Sequence, residues 1–329
     1  MRIKVPKYFL DFRCIASKCL DSCCVGWEIV IDEESRSKYS ALSCDIGEEI
    51  RAKTAHGCFS LDSKGRCAFL DGDGMCRIIR ELGEGYLCDI CREHPRYFGI
   101  SADGVEGGLG LGCEEAARLI LKSGGSPDFV YTEHDAKYFS EDGHARISDR
   151  IRDMIYGAIS RLDPTRLISY CRELAGVGDE LAFEIGAGLA GDTIPHLTEA
   201  ADRTEAISAE LGEFFLTLGE CEALDDDWAQ IIAKARGVSL PSVITDAVRL
   251  KSLIFYFTHR YVRECVEDLT LGYKILFALY SSLAVIALSQ VTDTDEPDVR
   301  AAVKFSKNIE YSTENVSLIT DRLSDFCEL

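Results

Sequence analysis

Thiols are the side chains in this sequence with the most chemistry to offer. Four of them, Cys14, Cys19, Cys23 and Cys24, fall within eleven residues. Spacings this short let one loop aim several sulfurs at a common point with little loop-closure entropy to overcome. Arg13 and Lys18 stand beside them, placed to offset the charge of thiolates. Neighbouring side chains in extended backbone diverge, so one of Cys23 and Cys24 is expected to ligate and the other to pack. Further along come Cys67, Cys76 after the Asp71-Gly72-Asp73-Gly74 turn, the Cys88-x-x-Cys91 pair, and Cys113. A lone CxxC is a weak signal, but joined to a four-thiol run and two spaced cysteines it points to metal. These nine cysteines are the candidate ligands.

Eleven of the fifteen cysteines lie at or before Cys113, which marks the first third as a separate module. The total is odd, and Met1 to Leu10 run into Asp11 and Arg13 without the apolar core of a signal peptide. A cytoplasmic protein with reduced thiols is therefore expected, and a disulfide framework is not. Structural zinc sites usually show paired CxxC knuckles, and only one is present, so the pattern leans to an iron–sulfur cluster with zinc as the alternative. Cluster spacings vary widely, so which four of the nine thiols would ligate stays open. Cys44, Cys58, Cys171, Cys221, Cys265 and Cys327 read as small buried hydrophobes. His94, beside the CxxC, is the one histidine in reach of the sulfurs, as a ligand or a hydrogen-bond partner.

The elements that must position these groups divide the chain in two, at residues 1–125 and 126–329, in line with the usual domain size. The fold class is mainly α: a small irregular cysteine-rich module of loops, short helices and a small hairpin at the Asp71–Gly74 turn, followed by a helical bundle. Helical patterns cover Glu114 to Lys122, Ile147 to Arg161, Pro164 to Leu174, Thr198 to Leu218, Trp228 to Arg236, Pro241 to Val266, Leu271 to Gln290, Val299 to Ile309 and Glu314 to Phe326. Leu250, Leu253, Ile254, Phe257, Tyr261 and Cys265 recur at three and four residues, the stripe of a half-buried helix. Ile275 to Val291 is short for a membrane span and interrupted by Ser281, Ser282, Ser289 and Gln290, so it reads as a central buried helix.

With 56 acidic against 36 basic residues the net charge is −20, which disfavours a nucleic-acid backbone or an anionic membrane as partner. Glu106-Gly-Gly-Leu-Gly-Leu-Gly112 formally matches the loop with which Rossmann-type methyltransferases bind S-adenosylmethionine. The residues before it are too short for the buried strand that such a loop must follow, so it is not read as one.

The ordered set Phe12-Arg-Cys14, Cys19, Cys23-Cys24-x-Gly26-Trp27-Glu28-Ile29-x-Ile31-Asp32, Cys67-x-Phe69-Leu70, Cys76-x-Ile78, Leu82-Gly-Glu84, Leu87-Cys88, Cys91, Pro95-Arg96 and Cys113-Glu-Glu-Ala-Ala-Arg-Leu119 resembles the flagellin lysine N-methylase family. Its amino-terminal part also resembles smaller zinc- or iron-chelating proteins. The sequence departs from the family at Gly112-Cys113-Glu114, where Ser-Cys-Pro is usual, and at His94, where an aromatic is common. The resemblance implies methyl transfer from S-adenosylmethionine to surface lysines of flagellin, by an enzyme associated with a [4Fe-4S] cluster. It names no catalytic or donor-binding residue here. A non-catalytic iron or zinc sensor, or carrier, and a redox oxidoreductase are the competing functions.

Overall fold

The computed structural model describes residues 1–20, 22–135, 145–186, 202–263 and 271–327. Helices dominate it, as expected. In the amino-terminal part they are short: α1 (Glu33–Ser40), α2 (Asp45–Ala52), α3 (Arg77–Leu82) and α4 (Asp89–Glu93). Next come α5 (Glu114–Lys122), α6 (Ala145–Arg161), α7 (Pro164–Gly186), α8 (Thr204–Glu220) and α9 (Trp228–Ala235). The chain ends with α10 (Leu240–Val243), α11 (Ala247–Tyr261), α12 (Leu271–Val291), α13 (Pro297–Phe305) and α14 (Thr313–Phe326). The expected helix from Pro241 is two helices, because Asp246 caps the N–H of Arg249 and starts α11 afresh. Residues 198–201 and 264–266, and with them Cys265, lie outside the described residues.

α12 is long and apolar enough to cross a membrane, and it lies buried among α7, α9, α11, α13 and α14. Its apolar surface faces protein on all sides, which is the central helix that the sequence predicts.

One element was not foreseen. A four-stranded sheet has the order β4 (Arg96–Ser101), β5 (Gly104–Leu109), β1 (Arg2–Pro6), β6 (Phe129–Glu133); a small hairpin pairs β2 (Thr54–Ala55) with β3 (Cys58–Phe59). β1 runs parallel to β5 and antiparallel to β6, and β4 runs antiparallel to β5 with Phe98 opposite Gly107. Glu106 to Leu109 of the glycine run is therefore strand rather than a ligand-binding loop. The turn at Asp71–Gly74 forms as expected, with Leu70 bridged to Cys76 and the Asp71 carboxylate accepting the N–H groups of Asp73 and Met75.

Apolar burial gathers in two cores. The larger joins Ile3 and Val5 of β1 and Leu109 of β5 to the helices from α5 onward. The smaller contains Ile29, Ile31, Tyr39, Ile46, Ile50, Phe59, Phe69 and Ile78, together with thiols. Residues 1–12 and 96–122, in the amino-terminal third by sequence, thus pack on the helical core.

Candidate functional site

Five of the nine candidate thiols share the smaller core: Cys67 and Cys88 are fully buried in it, and Cys24, Cys76 and Cys91 pack against it. Short local structures aim them. Cys76 precedes the first turn of α3 and Cys88 that of α4, while the Cys67 N–H bonds to the Cys24 carbonyl at 2.8 Å. Cys23 hydrogen-bonds to the neighbouring Cys24 thiol and also lies close to Cys113, Cys14 and Cys91. The divergence expected of these adjacent side chains is not observed, because the two thiols turn towards one another. Cys19 stands apart, its thiol donating to the buried Glu114 carboxylate at 3.3 Å. The nine sulfurs do not meet at one point.

None of these cysteines is in a disulfide. Burial pushes Cys67 up to about 12 and raises Cys76 and Cys113. A hydrogen bond from the Cys23 thiol pulls Cys24 down to about 7, and one from the Cys91 thiol lowers Cys88. The positive charge near Cys24 comes from Lys307 of the helical region. Arg13, expected in that role, binds the carbonyls of Leu10 and Phe12 instead. Cys44, expected to be buried, is exposed, whereas Cys171, Cys221 and Cys327 are buried as anticipated.

Among the described residues, no three His, Cys, Asp or Glu side chains converge so as to hold a metal ion. In its chemistry the donor set of the smaller core still fits a thiolate-ligated group. Five free thiols from four segments occupy one apolar pocket, and a cation there would favour the thiolate form that burial opposes.

A cleft of about 700 Å³ opens where this thiol core meets the helical part. Trp27, Asp32, Asp89, Glu93 and His94 form one wall, Arg96, Tyr97 and Phe98 of β4 the floor, and Arg260 of α11 with Tyr311 the other wall. The rings of His94 and Tyr311 lie 6.0 and 5.6 Å from Trp27. Asp32 caps α1 through the Ser35 N–H and accepts the Asp89 N–H, both at 2.8 Å. Burial opposes its charge, and these bonds more than offset that, so its pKa is lowered. Glu93 is held by His134 at 2.9 Å.

The glycines of the 106–112 run now have a physical account. A Cβ at Gly108 would lie 2.4 Å from the Tyr97 ring, and one at Gly112 would lie 2.2 Å from the Tyr311 hydroxyl. The run leaves room for the aromatic side chains of the cleft, a role that the Rossmann-like pattern conceals. Tyr311 follows a π-helical turn, Ser306–Glu310, of the kind often found at functional sites. That turn sends Lys307 to the Ser22 carbonyl near the thiols and Glu310 to the tyrosines behind the cleft. Glu310 accepts from the Tyr256 and Tyr261 hydroxyls, each at 2.8 Å, and Tyr256 in turn accepts from Arg260 at 2.8 Å. Tyr261, read from helical spacing as a core residue, and Tyr256 beside it do line the core and also buttress Arg260.

His94 does not reach a sulfur by hydrogen bond. Its Nε2 is buried without a partner among the described residues, and burial followed by the nearby Lys307, Arg260 and Arg96 lowers its pKa to about 4. The Tyr97 hydroxyl is likewise buried and unpartnered, its pKa raised to about 12 by burial.

The flagellar biosynthetic protein FliU of Salmonella muenchen aligns with this chain over 126 residues at 32% identity, which covers 35% of the chain and 75% of FliU. The chain belongs to the flagellin lysine-N-methylase family. Two other relatives of this methylase-family chain, the lysine-N-methylases of Salmonella choleraesuis and Salmonella typhimurium, align at 32% identity over 126 residues. The alignment spans only 31% of the length of those two proteins. No family model matches the chain, and no solved structure matches it.

Proposed function

We propose that the chain transfers methyl groups from S-adenosylmethionine to lysine ε-amines of flagellin, in the cytoplasm, and that the cleft is where donor and amine meet. The observation that carries this reading is the cleft itself: a mixed aromatic and charged cavity at the junction of the thiol core and the helical part of a methylase-family chain.

An ammonium has no lone pair, so an attacking lysine must first lose a proton. Asp32 and Glu93 on the cleft wall attract the ammonium, and the rings of Trp27, Phe98 and Tyr311 disfavour its charge once it is inside. The faces of Trp27 and Tyr311 suit a sulfonium cation. The neutral amine nitrogen forms a bond to the methyl carbon as the carbon–sulfur bond breaks, sulfur keeps the electron pair and becomes a thioether, and the alkylated nitrogen sheds its extra proton to water. The cleft orients the two partners.

The ligands of an iron–sulfur group would be drawn from Cys24, Cys67, Cys76, Cys88 and Cys91, and when bound it would brace the wall that carries Trp27 and His94. Zinc is the alternative occupant of those thiols. Purification without oxygen, followed by metal analysis and incubation with S-adenosylmethionine and flagellin, tests the whole. Brown protein and mass gains of one methylene each on flagellin are expected. Colourless, zinc-containing protein sinks the iron part; iron-loaded protein that adds no methyl group sinks the methylase part and leaves a metal sensor or carrier.

A further inference from the structure

We propose that the floor of the cleft is a carboxylate receptor built from Arg96 and Arg260, and that it takes the α-carboxylate of the methyl donor's amino-acid end. The proposal rests on the donor reading above and adds the end of the donor that is recognised. Two guanidinium groups reach the cleft from elements far apart in sequence. Arg96 lies over the rings of Phe12 and Phe9, at 5.2 and 5.6 Å, and has no hydrogen-bond acceptor among the described residues. Arg260 gives Nη1 to Tyr256 and sets Nε 3.5 Å from Glu310, while its Nη2 has no acceptor among the described residues. The rings of Tyr97 and Tyr261, 4.9 and 5.4 Å from the Arg260 guanidinium carbon, hold its plane.

A glycine makes the approach possible. Gly110 lines the cleft, and a Cβ there would stand 2.9 Å from Arg260 Nη1. The Tyr97 hydroxyl and His94 Nε2, both buried and unpartnered, belong to the same cavity.

Charge sets the class of ligand. Glu310 stands beside Arg260 and Glu93 near Arg96, yet neither accepts a hydrogen bond from Arg96 or from Nη2 of Arg260 among the described residues, so the open guanidinium edges match one carboxylate. A half-buried guanidinium without an acceptor is costly, and a carboxylate offers up to about four lone-pair positions to guanidinium forks and a phenol. The receptor therefore holds the carboxylate end at the floor and leaves the sulfonium to the Trp27 and Tyr311 faces.

Calorimetric titration of the full chain, purified without oxygen, with S-adenosylhomocysteine, its decarboxylated analogue and methylthioadenosine tests this. The carboxylate-bearing ligand is expected to bind roughly tenfold to a hundredfold more tightly than the decarboxylated one. Arg96→Met and Arg260→Lys are each expected to shrink that ratio towards one, and the wild-type ratio stands as a test even where a variant fails to fold. Equal binding of the two ligands by the wild-type chain, or a ratio unchanged in both folded variants, overturns the receptor and leaves the donor reading intact. A chain that binds none of the three overturns the donor reading and the receptor with it.

Discussion

The two cores of this molecule are built on different terms. Around α12 the helices run to 15 residues or more in α6, α7, α8 and α11, and their apolar faces close on one another. Around Cys67 and Cys88 the helices have five to eight residues, too few to be stable alone, and the apolar core has thiols where the other has leucine and phenylalanine. The comparison teaches that the helical part is held by hydrophobic burial, whereas the thiol part depends on its chemistry and on tethers to its neighbour. A change that removes only apolar volume should therefore hurt the first core most.

Phe257 sits fully buried among Tyr256, Tyr261, Phe277 and Phe305. Phe257→Ala should destabilise the chain by about 3–5 kcal/mol, read from urea unfolding followed by circular dichroism. A loss below about 1 kcal/mol would mean that the helical core is not the stability centre.

Glu114 tethers the loop of residues 14–20 to α5. Its buried carboxylate accepts the Leu20 N–H at 2.8 Å and the Cys19 thiol, and it pairs with Arg118. Glu114→Ala should release the loop of residues 14–20 at a cost of about 1–3 kcal/mol, because those donors lose a buried acceptor while Arg118 keeps Glu296. Hydrogen exchange should rise in that loop and remain unchanged in α12. Equal loosening of both would show the cores to be one cooperative unit.

Much of this division was legible in the sequence. Three- and four-residue spacing located most of the long helices, because amphipathic stripes encode their own period, but it ended α7 at Leu174 where the helix runs on to Gly186 and joined α10 and α11 into one. The sheet was not legible: β5 contains three glycines, which have little strand preference, and β1 is a five-residue strand whose pattern does not differ from an irregular segment. The thiols were legible as a set, but their partition was not. Cys19 meets Glu114 at a separation of 95 residues, and nothing in the local sequence announces it. The cleft was the least legible, since Arg96, Tyr97, Arg260 and Tyr311 come together only through tertiary packing. The glycine run pointed there by omitting side chains rather than by offering a ligand loop, and His94 and the motif residues Trp27, Asp32, Pro95 and Arg96 lie in the same cleft.

A matched pair of cysteines sharpens the contrast between the cores. Cys67 and Cys171 are both buried, and burial pushes both up to about 12. If both are only small hydrophobes, alanine at either position should cost about 1 kcal/mol. In protein prepared without oxygen, Cys67→Ala should in addition reduce bound iron and raise protease cleavage in the thiol part, while Cys171→Ala should do neither. Identical behaviour of the two variants would remove the distinction between the cores.

The smallest expected effect lies in the acid response of the helical core. His259 is fully buried, with Nε2 3.2 Å from the Gly107 carbonyl and Nδ1 3.2 Å from the Tyr156 hydroxyl. Burial, and then Arg263, hold its pKa at about 3, below the ordinary 6.5. Glu106 is held at about 2, because Arg152, His259 and Arg263 outweigh the effect of burial. In both cases the folded state binds fewer protons than the unfolded chain, so acid weakens the fold. The histidine's contribution is present above pH 6.5 and is lost as pH falls from there towards about 3; that of Glu106 is lost from 4.5 towards about 2. His94, lowered to about 4 on the cleft wall, adds a loss over the upper window. Unfolding free energy should therefore begin to fall near pH 6.5, where the imidazoles start to take up protons in the unfolded chain. His259→Gln should lower stability at neutral pH by about 1 kcal/mol and flatten the slope between pH 6.5 and 4.5. His94→Gln should flatten the same window without loosening α11, which separates the cleft wall from the helical core. A profile that stays level down to pH 4.5 in the wild-type chain would show that neither imidazole is kept neutral by burial.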